Sequence, residues 1–134
     1  MKMTVLGTGV RTPFVLHGLA AREPELGLTE VVLHDVDAER LEIMSALGAH
    51  LCRRWRARFA VRGEPDARAA LTGSQFVFSA IRVGQEHARA IDEEVPLKYG
   101  VLGQETTGPG GFAMALRTIP VVLEYARLIE EVAP

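Results

Sequence analysis

The sequence predicts an α/β fold in which helices cover both faces of a mostly parallel sheet. Three observations carry that reading. Strand-like and helix-like apolar patterns alternate from one end of the chain to the other, the order expected of βαβ units. The first strand-like run ends in glycine, with Pro13 placed for the first turn of a helix. A later run, Gln75–Ile81, is largely apolar, as a parallel strand covered on both faces is.

Taken in order, Lys2–Leu6 reads as the first strand, and the helix opened by Pro13 runs to about Arg22, before Pro24. Glu30–His34 reads as the second strand. Asp37 then caps a helix on which Leu41, Met44, Leu47, Leu51 and Trp55 share one face, read as core. Arg58–Val61 reads as a third strand, Asp66–Leu71 as a short helix and Gln75–Ile81 as a fourth strand. Helix is expected from Gln85 to about Glu94. Pro96–Gly111, with two prolines and five glycines, reads as a long shaped loop. Phe112, Leu116, Ile119, Leu123 and Ala126 recur at helical spacing and read as core, with a break or kink expected at Pro120. A doubly wound sheet ordinarily continues with a further strand, so the sequence is expected to be a fragment that stops before the later strands.

Composition agrees. The 134 residues suit one domain that buries roughly 68% of its unfolded surface. Apolar residues at 48% and charged residues at 24% are those of a folding chain. A net charge of −2 without a basic stripe argues against nucleic acid as a partner, and no apolar run is long enough to span a membrane. A cytoplasmic setting is expected. Cys52 stands alone, so an internal disulfide is excluded. His17, His50 and His87 form no metal-binding pattern, and no metal site is read in this chain.

The chemistry concentrates after the first, second and fourth strands. Gly7-Thr8-Gly9-Val10-Arg11-Thr12 holds the first two glycines of a dinucleotide fingerprint, with Thr12 in place of the third. Glycine permits the tight turn, and amides at the following helix start can hold a diphosphate; the rival reading is a plain strand-to-helix turn. Asp35 ends the second strand, where a carboxylate can accept both ribose hydroxyls and repel a 2′-phosphate, favouring NAD over NADP. Its rival reading is an acidic helix start shared with Asp37. Gly7, Thr8, Gly9, Val10, Arg11, Asp35 and Arg40 form the expected cofactor-binding set. Arg82, Arg89 and Lys98 follow the fourth strand, where they could grip an anionic substrate or be surface cations. In Gly103–Gly111 the hydroxyls and the carboxamide could orient a ligand, or the segment is a structural turn.

Ile81-Arg82-Val83-Gly84, then Pro96–Gly111 with its Gly103-Gln104-Glu105-Thr106-Thr107-Gly108-Pro109-Gly110-Gly111 run, resembles the family 4 glycoside hydrolases, their 6-phospho-β-glucosidases above all. Leu116-Arg117-Thr118-Ile119-Pro120, the glycine turn and Asp35-Val36-Asp37 continue the likeness over nearly the whole chain. The resemblance implies a Rossmann-like NAD-binding domain over residues 1–134 and hydrolysis by redox chemistry instead of a catalytic carboxylate pair. The sugar is oxidised at its third carbon with NAD, a tyrosine base takes the proton at the second, the aglycone is eliminated, and water addition and re-reduction follow. A divalent metal, commonly manganese, steadies the enolate. By matching motif Arg82 is implied to contact substrate and Lys98 to raise the reactivity of the base, with Arg89 toward the phosphate. A phosphorylated disaccharide or β-glucoside is the implied substrate.

The chain departs from that pattern in two ways. Gly7–Pro13 is shorter than the family's glycine, serine and aromatic turn, so Arg11 is expected at the diphosphate. The implied metal-binding Cys and His, sugar-binding Asn-Pro and base tyrosine are not in this sequence, so the chain by itself is expected to be inactive. Homo-oligomer formation is left open. The alternatives are half of a lactate- or malate-type dehydrogenase and a stand-alone NAD-sensing module.

Overall fold

The computed structural model describes residues 1–133. The chain folds as two compact units, residues 1–81 with those from Leu128 onward, and Arg82–Arg127.

The first unit is a four-stranded, wholly parallel sheet in the order β3-β2-β1-β4. β1 (Lys2–Leu6) and β2 (Glu30–His34) lie where expected, in register from Lys2 opposite Glu30 to Leu6 opposite His34. Between them come α1 (Thr12–Ala21), with Pro13 in its first turn, and a short α2 (Glu23–Leu26) that begins over Pro24. The Asp37 carboxylate accepts from Arg40 N at 3.0 Å and starts α3 (Ala38–Trp55) as a side-chain cap should. β3 is Ala60–Gly63, two residues later than expected, because the two preceding amides are taken elsewhere: Ala57 N donates to Cys52 O at 3.0 Å and Arg58 N to the Glu23 carboxylate at 2.9 Å. α4 (Ala67–Leu71) is capped by Asp66. β4 is shorter than expected, Phe76–Ser79.

Alternation along the strands sends Val5, Val31 and Leu33 to one face, where they meet Leu16 of α1 and Leu41 and Cys52 of α3. Thr4, on the other face, donates to Ala70 O of α4 at 2.8 Å. Helices therefore cover both faces. The buried face of α3 is Leu41, Gly48 and Cys52. The expected stripe is offset: Leu47 is exposed, while Met44, Leu51 and Trp55 are half-buried, because Gly48 lies beneath Leu16 and sets the side turned inward.

In the second unit α5 runs Gln85–Leu97, three residues past the expected end, and α6 (Gly108–Val132), whose residues from Leu128 belong to the first unit, begins four residues before Phe112. The expected Pro96–Gly111 loop thus shrinks to 98–107. Pro96 is tolerated in the last turn of α5, where the amide it lacks would have served only Asp92 O. No break occurs at Pro120, which lies within α6. The apolar residues of α6 are not core: Phe112 is 66% and Leu116 62% exposed, with Ile119 and Leu123 also exposed. Amphipathic spacing states only that these residues share a side. Among the described residues no helix is long and apolar enough to cross a membrane.

Candidate functional site

Gly7 closes β1 against two neighbours. Its N–H donates to His34 O at 2.8 Å, its φ is +88°, and a Cβ there would lie 2.8 Å from Ala80 O. Only glycine fits both the angle and the approach. Thr8 follows, buried, and Asp35 Oδ2 accepts from its N–H at 2.6 Å and its hydroxyl at 2.9 Å. Asp35 Oδ1 accepts from Asp37 N at 3.0 Å. The glycine turn and the end of β2 are thereby one hydrogen-bonded body.

Burial by itself would push the Asp35 carboxyl up. The Asp37 and Thr8 amides, the Thr8 hydroxyl and the charge of Arg40 outweigh burial and hold it below the ordinary carboxylate range. Three of its roughly four acceptor positions are filled, so one remains for a ligand hydroxyl instead of the two the ribose reading requires.

Beyond Thr8 the turn opens to solvent. The backbone N–H groups of Gly9, Val10 and Arg11 find no acceptor among the described residues, and α1 starts without a side-chain cap. Thr12, in place of the third glycine, is buried with its N–H donating to Gly9 O at 2.9 Å. Three unserved amides ahead of a helix form a cradle for a diphosphate, which is what the cofactor's anionic centre needs. Arg11 is exposed beside them. Arg40 lies 3.4 Å from Asp37 and with it lines an open pocket of about 260 Å³ that also takes in Ile43 and Met44.

Arg82, Arg89 and Lys98 all belong to the second unit, and only the first two come together. Arg82 Nη1 donates to Glu105 Oε2 at 2.8 Å, and Arg89 Nε lies 2.9 Å from the same oxygen and 2.8 Å from Glu93. Lys98 follows the last turn of α5, exposed, and pairs with no carboxylate among the described residues. Thr107 donates to Gln104 Oε1 at 2.7 Å, so these two groups of the glycine-rich run serve each other. Sequence reasoning passed over Glu105 and the pair of Arg117 with buried Asp92, which meet at 2.6 and 3.1 Å while Arg117 Nε donates to Val83 O. The arginine's hydrogen bonds hold the Asp92 carboxyl below its ordinary range. The usable signal for both was an acid within reach of an arginine in a motif already singled out. Among the described residues no group of three or more His, Cys, Asp or Glu is placed to hold a metal ion.

Comparison with known proteins adds four findings. The family model described as Family 4 glycosyl hydrolase matches residues 2–134. A Bacillus subtilis (strain 168) relative named "Probable 6-phospho-beta-glucosidase" is 42% identical over 137 aligned positions, which take in all of this chain and 31% of that protein. The 6-phospho-beta glucosidase of Thermotoga maritima, solved with manganese, NAD+ and glucose-6-phosphate, superposes with a TM-score of 0.92 at 34% identity, over 99% of this chain and 32% of that one. A 6-phospho-alpha-glucosidase from gut microorganisms, in complex with NAD and glucose-6-phosphate, reaches 0.95 at 26% identity over 100% and 32%. The chain spans about a third of the length of each.

Proposed function

The chain belongs to the family 4 glycosyl hydrolases, and from that premise we propose that it is the NAD-binding part of a glycosidase acting on 6-phospho-β-glucosides. The observation that carries the cofactor half is the open cradle of Gly9, Val10 and Arg11 amides on a turn pinned by Gly7 and Asp35. Bound there, NAD would supply reversible hydride transfer. The chain's own residues bind and orient it. The three amides meet diphosphate oxygens, Arg11 adds a cation, and Asp35 accepts one ribose hydroxyl while its charge repels a 2′-phosphate.

The reading of the β anomer is supported by the 42% identity to the β-type relative, against 31–34% for the curated α-type relatives. Arg82 contacts the phosphorylated sugar, and Lys98, exposed and paired with no carboxylate among the described residues, is available to bias a base supplied by the rest of the protein. We assign the ligands of a divalent metal to the rest of the protein and expect the chain by itself not to turn over substrate, which an assay of this chain alone tests. Calorimetric titration of the chain with NAD and NADP tests the cofactor half; saturable binding that prefers NAD is expected, and equal affinity would remove Asp35's role. Assay of the intact protein on an aryl 6-phospho-β-glucoside and its α anomer tests the rest, and faster turnover of the α anomer would overturn the assignment.

A further inference from the structure

The loop that carries Glu105 is flanked by two close backbone approaches, at Gly103 and at Gly110. A Cβ on Gly103 would lie 2.1 Å from Glu93 O, and one on Gly110 would lie 2.3 Å from Gln104 O. The strand of loop between them is therefore clamped against α5 on one side and the first turn of α6 on the other. From that clamp a single carboxylate oxygen, Glu105 Oε2, takes both Arg82 Nη1 at 2.8 Å and Arg89 Nε at 2.9 Å.

The two arginines differ in what remains to them. Arg89 is engaged by Glu105 and by Glu93 at 2.8 Å, with Glu86 at 3.6 Å, and so is surrounded by carboxylates. Arg82 meets Glu105 through Nη1 and Glu86 at 3.4 Å through Nε, and its Nη2 donates no hydrogen bond among the described residues. An arginine whose plane is fixed by one carboxylate presents its outward donors in a set direction, and a planar fork loses little entropy when the anion arrives.

We propose that Glu105 is a positioning residue, orienting the Arg82 guanidinium so that Nη2 meets the phosphate of a phosphorylated sugar, and that Arg89 contacts Glu105 and not the substrate. The choice of phosphorylated sugar rests on the function proposed above; the orientation of Arg82 does not. Two readouts on the intact protein separate them. Calorimetry with glucose 6-phosphate compares wild type with Glu105→Gln and Glu105→Asp, with NAD affinity as the check of folding. Glu105→Gln is expected to weaken glucose 6-phosphate by about tenfold, with Glu105→Asp recovering part of the loss and NAD affinity unchanged. Unchanged or tighter binding in Glu105→Gln overturns the positioning role. Nitrogen NMR of the Arg82 side chain reads the second: slow guanidinium rotation in wild type and fast rotation in Glu105→Gln are expected. Slow rotation with no glucose 6-phosphate binding in wild type keeps the positioning role and defeats the substrate; equally fast rotation in both proteins defeats the positioning role.

Discussion

Around Asp35, in the sheet unit, one carboxylate only 8% exposed is satisfied by two backbone amides and a hydroxyl. Around Glu105, in the other unit, three carboxylates and two guanidiniums at or near the surface satisfy one another. Backbone donors are fixed by the strand and turn that carry them, so the Asp35 arrangement is as rigid as the sheet and little affected by salt. Side-chain pairs depend on long, mobile arms and are screened, since the Debye length is about 8 Å at physiological ionic strength. The second region must obtain its order from another source, and the close approach of backbone at Gly103 and Gly110 supplies it.

The largest expected effect comes from breaking the first region's turn. Gly7→Ala meets both a positive φ and Ala80 O, and should cost about 2–4 kcal/mol, read by urea unfolding. A loss below about 1 kcal/mol would mean that the turn relaxes at little cost. Next, Gly110→Ala, whose Cβ would meet both Gln104 O and Asp92 O, should cost about 1–3 kcal/mol. Hydrogen exchange is the sharper probe of it: amides of α5 and α6 should lose protection while those of β1 and β2 keep theirs. Equal loss in the sheet would dissolve the contrast between the regions.

Asp35→Asn should cost about 1–2 kcal/mol at neutral pH, with a pH dependence of known sign. The Asp35 carboxyl is held below its ordinary value, so its contribution is complete above that value and fades as pH falls through the lowered one. The gap between wild type and variant should therefore close in acid, and a gap independent of pH would assign the loss to packing. The smallest effect is expected at Arg62, which pairs with Glu30 at 2.8 Å and Glu64 at 3.2 Å but is 43% exposed; Arg62→Ala should change stability by no more than about 0.5 kcal/mol in thermal unfolding.

Much of this was legible in the residues. β1 and β2 lie where alternation and glycine placed them, and the Asp37 and Asp66 caps were readable because a cap is a contact over three residues. The glycine turn and Asp35 were legible as a candidate site, since strand-end position alone singles them out. The start of β3, the length of α5 and the start of α6 were not. Each depends on a bond or approach between residues distant in the chain or on a proline whose missing amide happens to cost little there.

The sequence by itself determined the order of elements, the parallel sheet and the turn at Gly7, because strand alternation, capping and glycine geometry act over a few residues. Only the tertiary structure decided which side of α3 turns inward, that the α6 stripe faces outward among the described residues, and that Glu105 joins Arg82 to Arg89. Local patterns tell which residues share a side; what that side meets is settled by elements that arrive from elsewhere in the chain.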